Sequence, residues 1–120
     1  DHWPADILRK NDDTTEAQRQ GFARAVKAGV RLTFGTDAGV YPHGLNARQF
    51  KYMVRYGMTP MQAIQSATTL AAQELGWSQS VGSLSPGHWA DMVAVQADPL
   101  ADITALEHID HVMKGGEVVR

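Results

Sequence analysis

Among the side chains of this sequence, Asp37 has the neighbours that best suit it to chemistry. It stands in Val30-Arg-Leu-Thr-Phe-Gly-Thr-Asp-Ala-Gly39, where Val30, Leu32 and Phe34 alternate with Arg31 and Thr33. A period of two marks a short strand with one face toward the core. If the extended geometry runs on through Gly35, Asp37 shares a face with Thr33, opposite the apolar side chains. Gly35 and Gly39 let the backbone turn beside it. A carboxylate at the C-terminal tip of a strand can take up and return a proton, and α/β enzymes gather their reactive groups at that end. The plainer alternative is an Asp that caps a turn or a short helix. The loop that follows, Val40-Tyr-Pro-His-Gly-Leu45, lies on the same side and brings Tyr41 and His43 near.

The elements around Asp37 can be read from pattern and punctuation. Residues 1–13 are polar and irregular, which predicts a loop. Thr15 with Gln18 fits a capping box opening a helix whose apolar stripe is Phe22, Ala25 and Val26. Gly29 suits the left-handed stop, and the strand begins at once, so one α/β repeat is expected. Asn46 is read as the cap of a helix through about Tyr56, with Phe50, Met53 and Val54 inward and Gly57 at its end. Thr59-Pro60 starts the next helix, Gln62 closing a capping box and Ala63, Ile64 and Ala67 forming the apolar side. Thr68 or Thr69 opens a third short helix carrying Leu70, Ala71 and Leu75, stopped by Gly76.

Beyond Gly76 the composition shifts to short apolar runs broken by Gly and Pro. Ala90–Gln96 reads as a strand, Asp98-Pro99-Leu100 as a turn, and Val112–Val119 as a hairpin turning at Gly115-Gly116. A boundary between Gly76 and Val81 separates a helical part, residues 1–78, from a small β part, residues 79–120.

Totals narrow the classes of function. The 120 residues are 43% hydrophobic and 20% charged with a formal net charge of −2, an ordinary globular balance. No basic run with interleaved aromatics suggests a nucleic-acid partner, and no apolar stretch reaches membrane-spanning length. Without cysteine there is no disulfide, thiolate metal site or cysteine nucleophile. Cytoplasmic and periplasmic or secreted settings both fit that absence.

The ordered series of motifs resembles the amidohydrolase superfamily. Gly35-Thr-Asp-Ala-Gly39 resembles its eighth-strand signature, and Met58–Thr68 with Leu70–Gly76 resembles the helices that follow. Val81-Gly-Ser-Leu-Ser-Pro-Gly-His-Trp-Ala-Asp-Met-Val93 is similar to the return into its β-sandwich, and Val112–Val119 to its closing hairpin. The resemblance runs from about Ala17 to Arg120. Tyr41-Pro-His-Gly44 and Asn46-Ala-Arg48 look most like the Xaa-Pro dipeptidase and imidazolonepropionase-related branch.

The resemblance implies an α/β fold, the C-terminal portion of a (β/α)8 barrel plus strands of a small β-sandwich. It implies hydrolysis of an amide in a small peptide or cyclic amide, with one or two divalent metal ions, zinc foremost. Asp37 takes the position of the acid that contacts the metal and shuttles the proton. His43 is a candidate to hydrogen-bond a substrate carboxylate, or is an exposed loop histidine. Tyr41 is a candidate for the pocket wall, or packs. A barrel needs roughly 250 residues, and no His-x-His occurs here, so the remaining metal ligands are expected outside this chain. A piece of a barrel exposes strand edges and apolar faces, so association with the missing N-terminal portion or with further copies is expected, and a fragment that associates without catalysis is the alternative to a hydrolase. Arg48 can bind a carboxylate bidentately, yet its helical position favours a solvated face. His108-Ile-Asp-His111 has spacing suited to a metal on a helix but enters a strand, and the family keeps it far from the site. His88 and Asp91 read as structural, and Glu16 and Asp13 as helix-start acids.

Overall fold

The computed structural model describes residues 4–39 and 42–120. Two compact units divide at Arg31 and Leu32. The first contains helix α1, Ala5–Lys27. Over residues 5–13 this overturns the expected loop, and it removes the capping box at Thr15. The helix passes straight through both threonines, whose hydroxyls donate to carbonyls one turn back, Thr14 to Lys10 at 2.8 Å and Thr15 to Asn11 at 2.7 Å. That back-bonding lets Thr stay in a helix interior, which capping statistics do not foresee. The expected stripe of Phe22, Ala25 and Val26 is half-buried. Gly29 ends the helix at φ 72°, where a left-handed residue is wanted.

The second unit holds helices α2 (Arg48–Arg55), α3 (Pro60–Ala67) and α4 (Thr69–Glu74). Strands β1 (Met92–Ala94), β2 (His111–Lys114) and β3 (Glu117–Val118) follow, with a 3₁₀ turn at Ile103–Glu107. Its small core is Met53, Met58, Ala63, Ala72 and Ile103, with Ser66 fully buried among them. Leu75, expected inward, is instead 71% exposed. Helix α4 is six residues long and ends before Leu75, so its stripe closes at Ala72.

Helix α3 begins as its sequence predicts. Thr59 Oγ1 accepts from Gln62 N–H at 3.2 Å, the Thr59 N–H donates to Gln62 Oε1 at 2.8 Å, and Pro60 sits in the first turn. Thr59→Ala removes half of this box and is expected to lower stability by about 1 kcal/mol, read as a shift in the denaturant midpoint.

The sheet is antiparallel in the order β1-β2-β3, pairing Met92 with Met113, Val93 with Val112, and Met113 with Val118. The strand expected over Ala90–Gln96 is trimmed to three residues. The hairpin forms as expected: Gly115 and Gly116 both have positive φ, the pattern of a tight two-residue turn. Asp91 Oδ1 accepts from Gly115 N–H at 2.7 Å, and Ser83 Oγ lies 3.0 Å from His88 Nδ1, so both residues serve the structure. Asp98 Oδ1 takes Leu100 N–H to make the predicted turn. The 3₁₀ turn was not foreseen. Asp102 caps it, held below the usual carboxylate range by the Thr104 hydroxyl and then by the Thr104 N–H.

Candidate functional site

Residues 32–39 form the frame for Asp37. Leu32, Phe34, Thr36 and Ala38 are half-buried while Thr33, Gly35, Asp37 and Gly39 are exposed, the alternation of an extended chain. Asp37 therefore shares the open face with Thr33, as its spacing predicts. The segment is not a hydrogen-bonded strand, which corrects one expectation, and Val30 is 53% exposed. A parallel strand needs neighbours, and the described residues offer this segment none.

Packing against the helices holds the segment in place instead. The Phe34 N–H donates to Ser66 O, the last turn of α3, at 3.0 Å. Ala63 and Ser66, both with no exposed surface, are small enough to let that backbone come close. Phe34 stacks on Phe50 of α2 with ring centroids 4.4 Å apart. At the open end the chain turns at Asp37, whose φ of 48° makes it the one non-glycine residue with positive φ among those described. Asp reaches this left-handed region more readily than most residues, but holding it there still costs on the order of 1 kcal/mol. Strain of this kind at an exposed carboxylate motivates a functional hypothesis.

Asn46 departs from its expected role. Ala47 occupies the cap position of α2 and no side chain caps it. The Asn46 Nδ2 instead donates to Thr36 Oγ1 at 3.1 Å, across the loop from the residue before Asp37. Its Oδ1 is buried with no partner. Sequence reasoning missed this because an Asn ahead of a helix reads first as a cap.

His43 is exposed in a turn with Gly44 at φ 96°, which matches either reading of it. Tyr41 lies outside the described residues. Arg48 is not a free carboxylate clamp: its Nε lies 3.7 Å from Glu107, which Lys51 also approaches at 3.6 Å. Glu107 thereby joins α2 to the 3₁₀ turn, a link the sequence did not announce. Asp110 accepts from Gln96 Nε2 at 3.3 Å, and no metal cluster forms around His108 and His111. Among the described residues no three candidate ligands converge anywhere. Asp37 is exposed and makes no hydrogen bond or ion pair with another described residue, so its oxygens are open to an external partner.

Several known proteins are similar to this chain. Ochratoxinase from Aspergillus niger is 34% identical over 110 residues, 88% of this chain and 22% of that protein. Imidazolonepropionase from Geobacillus kaustophilus is 35% identical over 102 residues, 80% of this chain and 24% of that protein. A solved Xaa-Pro dipeptidase with methionine bound in its active site superposes with a TM-score of 0.83 at 44% identity, covering 85% of this chain and 25% of its own. The chain thus spans about a quarter of the relatives it matches. The α/β architecture of these relatives agrees with the helices and extended segment found here. The model of the amidohydrolase family matches residues 4–119, taking in Asp37, the helices behind it and the sheet, and the chain belongs to that family.

Proposed function

We propose that this chain is the C-terminal portion of a longer metal-dependent hydrolase that cleaves amide bonds, with Xaa-Pro dipeptides as substrates. In this reading residues 1–78 close a (β/α)8 barrel and residues 79–120 contribute strands to a small β-sandwich. The observation that carries the reading is Asp37: an exposed carboxylate, without a partner among the described residues, in a strained turn at the end of an extended segment. The Xaa-Pro dipeptidase at 44% identity supports the substrate class.

Asp37 fits a divalent metal such as zinc, because a carboxylate is a ligand such ions accept. One ligand does not make a site, and the others come from residues outside this chain. Such an ion would supply polarisation of the amide carbonyl and a water of lowered pKa. Asp37 would take a proton from the attacking water and hand it to the departing nitrogen. For a prolyl amide the C–N bond breaks, oxygen joins the carbonyl carbon, and the secondary amine leaves with the proton from Asp37. His43 would donate a hydrogen bond to the substrate carboxylate. Exposed Trp77, Leu84, Trp89 and Val118 supply apolar surface for the remainder of the protein or a further copy.

A second reading, opening of a cyclic amide, draws on the imidazolonepropionase relative. The test uses the product of the complete reading frame. Hydrolysis of Xaa-Pro dipeptides is expected to vanish on chelation and return with zinc. Turnover of imidazolonepropionate alone would shift the assignment to the second reading. Activity that survives thorough chelation would remove the metal from the account.

A further inference from the structure

We infer that Asn46 is a positioning residue for Asp37, acting through its hydrogen bond to Thr36. The inference rests on the proposed role of Asp37 and adds what holds that side chain in place.

Three observations converge on it. First, the segment carrying Asp37 has no ladder partner among the described residues, so side-chain links must fix its end. The Phe34–Phe50 stack secures the segment before Gly35, and the Asn46 amide reaches Thr36, the residue next to Asp37. Second, that bond links positions ten residues apart, holding Thr36 beside Asn46. A left-handed Asp persists where its surroundings over-determine it, and this brace restricts the turn on both sides. Third, Asn46 forgoes the cap of α2 and leaves Oδ1 buried without a partner. Such an orphan opposes stability, so the residue is poorly explained as a stabilising device. Removing Asn46 loses one hydrogen bond and also removes the orphan, two changes of opposite sign. Stability should move little while the geometry at Asp37 loosens.

The experiment is a double-mutant cycle in the full-length enzyme with Asn46→Ala, Thr36→Val and the pair, and Thr36→Ser as the conservative variant. Each is assayed for kcat and KM on an Xaa-Pro dipeptide, for amide hydrogen exchange over residues 37–45, and for melting temperature. Asn46→Ala and Thr36→Val should each lower kcat by roughly ten- to a hundredfold, the scale of a small misplacement of a reacting group. KM should stay near its original value. The pair should be no worse than the poorer single, because both remove the same bond. Thr36→Ser, which keeps the hydroxyl, should stay near wild type. Exchange over 37–45 should quicken in the first three variants and not in the fourth.

An unchanged kcat in Asn46→Ala, or losses that multiply in the pair, overturns the proposal. If the wild-type enzyme does not cleave Xaa-Pro dipeptides, the substrate reading fails and exchange decides the brace separately. Faster exchange upholds it, and unchanged exchange overturns it whatever the activity. Where Asn46→Ala does not fold, Thr36→Val cuts the same bond from the other side and is read by the same criteria.

Discussion

Asp37→Asn in the full-length protein is expected to lower kcat/KM by roughly 10²–10⁴-fold, the usual worth of a placed proton-transfer group. Asn keeps the shape of the side chain and also tolerates the left-handed backbone at φ 48°, so the turn should survive. No ion pair or hydrogen bond to another described residue is lost, and Asp37 is exposed, so stability should change by no more than about 0.5 kcal/mol. What disappears is a base that can hold a proton and an anionic oxygen that can bind a cation. Steady-state kinetics beside a thermal melt separates the two effects. Near-normal turnover in a folded variant would exclude Asp37 from the chemistry, and loss of turnover together with the fold would make it a structural residue.

Gly82→Ala is expected to be among the most damaging single changes for stability. Gly82 sits at φ 91°, and a Cβ built there would lie 2.7 Å from Ala72 Cβ and 2.8 Å from Thr68 O. Neither neighbour is the tip of a flexible side chain that can step aside. Ala72 is a core residue of α4, and Thr68 O already accepts from Ala72 N–H at 2.9 Å. The backbone strain of a left-handed Ala adds about 1–2 kcal/mol and the clash about 1–3 kcal/mol, together about 2–5 kcal/mol. Urea denaturation should show the midpoint falling with little change in slope. A midpoint like that of the parent would mean that the turn after α4 can move aside, contrary to the packing described.

These effects differ in how far the residues announce them. The Thr59-Pro60-Gln62 box and the Gly115-Gly116 turn depend on local chemistry, and both form as their residues dictate. The face of Asp37 was legible because alternation survives in the burial of residues 32–39 even without a ladder. The strand itself was not, because hydrogen-bonded neighbours come from tertiary context. Helix α1 ran past the start suggested at Thr15 because a Thr hydroxyl can satisfy a carbonyl one turn back as readily as cap an end. Asn46 shows the same ambiguity reversed, for its side chain chose a long-range partner over the nearest helix. The pairing of Arg48 and Lys51 with Glu107 was equally hidden, since a link between distant positions leaves no periodic trace. Local signals thus located the acid, while the groups that hold its segment emerged only from three-dimensional packing.

The central claim is tested most directly by anomalous diffraction from crystals of the full-length protein grown with zinc. The account predicts a metal peak within about 2.0–2.6 Å of an Asp37 carboxylate oxygen, the range for zinc and other divalent cations. The other ligands would come from residues outside these 120. A fully ligated metal elsewhere, with Asp37 turned to solvent or paired to a basic side chain, would contradict it.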